Sequence, residues 1–138
     1  MSTINTIRAR LKALNVKEES RQAIEKTKPE IIALNRERML AGQRTDGSYL
    51  PFYSKISQEV YGYPNTPIAL YATGDFQKAI KVEVGFNVIK TTSIDPKEGM
   101  LIKRYGEGIH GLDKEGKQEY IKDLRPVFVK NVRAILSL

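Results

Sequence analysis

Apolar residues recur every three or four positions at the start of the chain. Ile4, Ile7, Leu11 and Leu14 form one stripe, and Arg8, Arg10 and Lys12 fall off it. That period predicts an amphipathic helix. Asn15, Val16 and Lys17 interrupt the pattern, and Glu18 and Glu19 suit the start of a second helix, where the dipole favours negative charge. Lys28 followed by Pro29 marks a break. Thr27, Pro29 and Glu30 read as a capping box with proline just inside a third helix. Ile31, Ile32, Leu34, Met39 and Leu40 give that helix its apolar face, which ends near Gly42. Each stripe is either an ordinary packing surface or an oligomer contact.

Periodicity then fails. Residues 42–67 carry three Gly, three Pro and the aromatics Tyr49, Phe52, Tyr53, Tyr61 and Tyr63. Asp46–Gly47 is a turn signal, and residues 54–60 can form a short helix. A structureless loop of this length inside a domain usually serves a purpose. Its aromatics either pin it to the core, contact a protein partner or stack on bases. Thr73–Gly74 reads as a turn leading to a helical turn at Asp75. Ile80, Val82, Val84 and Phe86 then alternate with Lys81 and Glu83, the period of a half-buried strand. Residues 91–99 form a turn region, and residues 100–105 are expected to return as the second strand of a hairpin. Four glycines crowd residues 106–116. Asp123 is expected to cap a last helix with Pro126 in its first turn. Val127, Phe128, Val132, Ile135, Leu136 and Leu138 supply that helix's apolar surface. The expected class is α+β, with N-terminal helices, a small antiparallel sheet with long loops and a C-terminal helix. The expected organisation is one domain over 1–138: a basic helical region (1–44), a long loop (45–67) and an α/β core (68–138).

Composition narrows the chemistry. With 138 residues the chain can bury a core unaided. It has no Cys, so thiolate catalysis and disulfides are excluded, and its one His rules out a multi-histidine zinc site. No apolar stretch has the length of a signal peptide's core or a membrane span, so neither secretion nor a membrane contact is expected. The net charge is +7. Residues 1–44 hold ten Lys or Arg against five Asp or Glu, whereas residues 45–110 hold seven of each. The excess suits an acidic protein surface or nucleic acid, with Arg8, Arg10, Lys12 and Arg21 as the candidate contacts. No zinc-finger spacing, ribonucleoprotein-type aromatic strand or paired recognition helix accompanies it.

No catalytic constellation stands out. His110 lies among glycines beside Asp113, and nothing selects a nucleophile from Ser48, Ser54 and Ser57. The aspartates are scattered. Residues 106–111, GEGIHG, match GxGxxG formally, but no βαβ unit follows, so a dinucleotide site is not expected. Neither a cofactor nor a metal is expected.

One combination of segments points to a family. Residues 71–82, YATGDFQKAIKV, resemble the TG-x-L-x-x-S-I segment of bacteriophage virion-morphogenesis and tail-completion proteins, the small neck or tail-terminator-like proteins. Phe76 stands for the usual Leu and Ala79 for the usual Ser. YGEGI at 105–109 resembles the family's segment after a strand, and RPVF at 125–128 the RPF opening of its C-terminal helix. NRERML at 35–40, Asp46–Gly47 and Tyr53–Ser54 resemble a variant in phages of gut bacteria. The likeness runs loosely over 31–135. It implies a non-enzymatic virion protein, a head–tail connector or tail-completion subunit at the neck or tail, assembled in the host cytoplasm. Such proteins form homo-oligomeric rings, here a hexamer or dodecamer, around a DNA channel contacted without sequence specificity. Their sheet edge and loops bind neighbouring subunits and other neck, portal or tail proteins. Tyr49, Phe52, Tyr53, Tyr61, Tyr63 and Phe76 are the expected partner contacts. The alternative is a small basic nucleic-acid-binding protein.

Overall fold

Helix α3 (Lys28–Leu40) lies at the centre of the packing, with Ile31, Asn35, Arg38 and Met39 buried. In the computed structural model, residues 3–70, 74–85 and 88–136 are described. Two helices precede it: α1 (Thr3–Ala13) and α2 (Val16–Lys26). Asn15 starts α2 by accepting from the Glu18 amide (3.1 Å), a cap that satisfies one of the free N–H groups of the first turn. Thr27 precedes α3 but makes no capping box. Its hydroxyl instead donates back to the Ala23 carbonyl (2.8 Å) and so is left to accept from the Tyr120 hydroxyl (2.7 Å).

After α3 come α4 (Lys55–Tyr61), α5 (Asp75–Lys78), strands β1 (Ile80–Val84) and β2 (Ile89–Ser93), α6 (Glu98–Tyr105), a 3₁₀ turn (Glu107–Ile109) and α7 (Lys114–Leu136). The fold is α+β, with a two-stranded antiparallel sheet. Two strand and helix assignments differ from expectation. The partner of β1 is β2, not residues 100–105. Those residues form α6, because Leu101 and Tyr105 share a helical face turned to the core while Glu98 and Lys103–Arg104 suit its two ends. The last helix starts at Lys114, not near Asp123. Asp113 caps it, its carboxylate accepting from the Gly116 amide (2.7 Å), and Pro126 therefore lies inside the helix. Consequently YGEGI follows a helix, and RPVF does not open one.

The register pairs Ile80 with Ser93 and Val84 with Ile89. Gly85 donates to the Val88 carbonyl (2.8 Å) and Ile94 to that of Ala79 (3.1 Å). By the alternation of an antiparallel ladder, Ile89, Thr91 and Ser93 aim their amides and carbonyls away from β1. No strand pairs with that edge among the described residues. Strand β1 alternates as expected, with Ile80 and Val82 buried and Lys81 and Glu83 exposed. Phe86, Thr73 and Leu138 lie outside the described residues.

Two apolar clusters share α3 and β1. One joins Met39, Leu50, Phe76, Ile80 and Ile109; the other joins Ile31, Val82 and Tyr120. Ile32 touches both. Burying a side chain such as Phe76 contributes roughly 1.5–3 kcal/mol. The core therefore draws on residues 23–39 as well as on 68–138. Helix α1 buries none of its residues; of its predicted stripe, Ile7 and Leu14 are half-buried while Ile4 and Leu11 remain exposed.

Candidate interaction surface

Residues 45–67, expected as a long loop, are a folded arm. Its root is pinned at Gly42, which has φ +69°, and a β-carbon there would lie 2.5 Å from that of Pro67. Only glycine permits both the left-handed backbone and that close return of the chain. Leu50 donates to the Gly42 carbonyl (2.7 Å) and is itself buried. Isolated bridges join Gln43 to Tyr49 and Phe52 to Pro67. At the first turn, Asp46 accepts from the Ser48 hydroxyl (2.6 Å) and amide (2.8 Å). Those bonds hold its carboxyl below the usual range, the hydroxyl contributing most.

Helix α4 forms the far part of the arm. Ser54 caps it by accepting from the Ser57 amide (3.1 Å), and Gly62, at φ +72°, ends it. Tyr53 and Tyr63 flank the helix and stack with centroids 4.6 Å apart. The Tyr53 hydroxyl accepts from the Ala69 amide (3.2 Å), tying the arm to the chain beyond it.

The six predicted contact residues divide evenly. Tyr53, Tyr63 and Phe76 meet in a cleft of about 180 Å³ lined also by Leu101 and Tyr105, with Asp75 and Lys97 on its walls. Phe76 is core, 3% exposed. Tyr49, Phe52 and Tyr61 lie outside it; Phe52 is 56% and Tyr61 73% exposed. Sequence reasoning missed Ile56 and Val60, 69% and 66% exposed. Their i,i+4 spacing in a segment already suspected to be helical was the available signal. No residue of α4 is buried. The arm thus spends Leu50, Tyr53 and Tyr63 on holding itself and displays an apolar surface, as a protein contact needs.

The cationic candidates behave differently. The Arg10 guanidinium donates to the Leu136 carbonyl (3.2 Å) at the end of α7. Arg21 pairs with Glu18 (2.7 Å) and Glu25 (3.8 Å). Arg8 and Lys12 are exposed and have no polar partner among the described residues. Three further arginines serve backbone carbonyls. Arg36 donates to Gln77 (2.7 Å) and Lys78 (3.2 Å) at the end of α5. Arg44 donates to Tyr105 (3.0 Å) at the end of α6 and to Tyr49 (2.7 Å). Positive charge is favoured at a helix C-terminus, where carbonyls lack amide partners.

Arg38 is the most buried of these. Its guanidinium donates to the carbonyls of Ile109 (2.6 Å), Gly108 (3.2 Å), Gly111 (3.2 Å) and Gln43, and to Asn35 Oδ1 (3.0 Å). Burial lowers its pKa, and the charge of Asp113 opposes that shift. The GEGIHG segment is therefore a set of carbonyls wrapped on a cation. A phosphate cradle presents amides instead, so the polarity is opposite to that of a dinucleotide loop. His110 Nε2 meets both oxygens of Glu98 (2.7 and 2.8 Å), and its ring lies against Phe76, 5.8 Å between centroids. It joins α6 to the glycine-rich segment. Among the described residues no group of His, Asp or Glu is arranged to hold a metal ion, and no helix is long and apolar enough to cross a membrane.

Compared with family models, curated proteins and solved structures, the chain matches none.

Proposed function

We propose that this chain is a structural subunit of a tailed-phage virion, a head–tail connector or tail-completion protein that assembles as a ring around the DNA channel. The observation that carries this reading is the arm. It is ordered by its own hydrogen bonds and stacked tyrosines, yet it leaves Phe52, Ile56, Val60 and Tyr61 in water. Neighbouring subunits or other neck, portal or tail proteins cover that surface in the assembled particle. The unpaired edge of β2 supports the same reading, since ring closure removes exposed strand edges. Of the four cationic candidates, Arg8 and Lys12 stay available for DNA in the channel, contacted through phosphates without regard to sequence.

Negative-stain microscopy and native mass spectrometry of the purified chain test the reading. Rings of six or twelve copies are expected. A chain that stays monomeric both alone and when mixed with tailed-phage portal and tail proteins overturns the reading. Binding to duplex DNA by a monomer would favour instead a small basic nucleic-acid-binding protein, the reading that Arg8 and Lys12 support.

A further inference from the structure

The exposed face of α4 joins an apolar ridge to one flank that carries two opposite charges. Ile56 and Val60 lie one turn apart and form its apolar ridge, with a mean direction between them. Lys55 and Glu59, also one turn apart, lie together about 100° around the helix from that ridge, as the 100° step per residue requires. Neither has an ion-pair partner among the described residues, although i,i+4 spacing brings them within reach of each other. Apart from these two, residues 48–67 contain no charged side chain, so a second copy of this +7 chain meets no net repulsion there.

We infer that α4 pairs antiparallel with α4 of a second copy about a two-fold axis. In that arrangement Ile56 of each copy packs on Val60 of the other. The flank bearing Lys55 and Glu59 stays on the same side in both copies, while the helix direction reverses. Lys55 therefore faces Glu59 of the second copy, twice, in the manner of flanking charges beside a coiled-coil seam. A parallel two-fold pairing would put the two charged flanks on opposite sides of the seam, where neither meets the other, so only the antiparallel direction lets Lys55 and Glu59 pair across it. Phe52 and Tyr61, exposed on the same arm, extend the contact beyond the four central side chains. A two-fold contact is isologous and closes at two copies. It does not by itself build a ring; in the ring reading, the neighbouring subunit that covers the arm then belongs to a second ring, and the repeating contact within each ring falls elsewhere, as at the free edge of β2.

The test is a charge exchange read by sedimentation velocity from micromolar to millimolar concentration. The native chain is expected to self-associate. Lys55→Glu alone places like negative charges together, and Glu59→Lys alone like positive ones, so each variant is expected to associate about tenfold more weakly. An equimolar mixture of the two is expected to recover native association as a mixed pair. Each variant keeps its own like-charged helix in that mixture, so recovery cannot come from a better helix. A native chain that sediments as a monomer throughout, or a mixture no tighter than its parts, overturns the pairing. Ring formation on the same samples, seen by negative stain, reports separately on the structural-subunit reading: the pairing falls with an inactive mixture even where rings form, and stands with a recovered one even where they do not.

Discussion

Residues 3–44 and residues 45–67 dispose of their side chains in opposite ways. The first region holds most of the net positive charge, and the structure turns much of it inward. Arg10, Arg36, Arg38 and Arg44 each end on backbone carbonyls, while Arg21 and Lys28 are matched by Glu18 and Glu25. The second region is nearly uncharged and aromatic, yet it presents Phe52, Ile56, Val60 and Tyr61 to solvent. A charge count taken along the chain points to the first region as the contact surface. The fold points to the second. Arginine at a helix C-terminus is a structural cation, and its contribution to net charge says little about partners.

Breaking the inward side of that comparison has the largest expected effect. Arg38→Met removes the donor shared by the carbonyls of Gly108, Ile109 and Gly111 and by Asn35. The Gly108 carbonyl keeps the Thr45 amide (2.9 Å), but the Ile109 and Gly111 carbonyls and Asn35 Oδ1 lose the guanidinium, at an expected cost of about 3–5 kcal/mol in urea denaturation. A loss under about 1 kcal/mol would show that water replaces the guanidinium, and the wrapped-carbonyl account would fail. Next in size is the hinge between the regions. Gly42→Ala adds a β-carbon into Pro67 at a left-handed backbone position, for an expected loss of about 2 kcal/mol. Hydrogen exchange should show it loosening the amides of Leu50 and Ile68, whose bonds flank the root of the arm.

The seam between α3 and α7 comes third. Tyr120→Phe deletes the bond to the Thr27 hydroxyl and should cost about 1 kcal/mol. Burial raises the Tyr120 pKa. A group raised on folding stabilises fully below its unfolded pKa and loses that contribution as pH rises toward the folded one. The native chain should therefore lose stability above the ordinary tyrosine range, and Tyr120→Phe should lose less there.

How much of this was legible depends on which signal each residue carried. The alternation of Ile80 and Val82 marked β1, and the proline and glycine at the two ends of α3 marked its span. Strand β2 was hidden because Ile89–Ser93 does not alternate: it is an edge strand whose first two residues are exposed. Helix α6 was mistaken for a strand because Met100, Leu101 and Ile102 form a short apolar run, which periodicity alone does not assign. The start of α7 was obscured by Gly111 and Gly116, and Asp123 offered a second plausible cap. In the candidate surface, the aromatics of the arm drew attention and Ile56 and Val60 did not. Arg38 gave no sign of burial, since an arginine amid Arg36, Glu37 and Met39 looks like a solvated helix position. Only the three-dimensional return of the glycine-rich segment reveals what it binds.

On the outward side, the expected stability effects are near zero and the assembly effects are not. Ile56→Ser with Val60→Ser changes residues that touch little in the free chain, so denaturation should move by less than about 0.5 kcal/mol. Self-association should nevertheless fall, because the apolar ridge of α4 is gone. A double variant that unfolds easily would mean that α4 packs against its own chain and is not a displayed surface.

The smallest expected effect concerns the cations left over. Arg8→Ala with Lys12→Ala removes two exposed, unpartnered charges from α1, which buries none of its own residues. Stability should be unchanged within about 0.5 kcal/mol. If these residues face channel DNA, each contributes through counterion release, so the slope of log affinity against log salt should become shallower by about 2. Arg10→Ala is the sharper control, because it carries the same formal charge on the same helix but is tied to the end of α7. It should lower stability while leaving that slope nearly unchanged. Equal slope changes from Arg8, Lys12 and Arg10 would mean that the guanidinium of Arg10 leaves its carbonyl for phosphate, and that the inward use of charge yields when DNA is present.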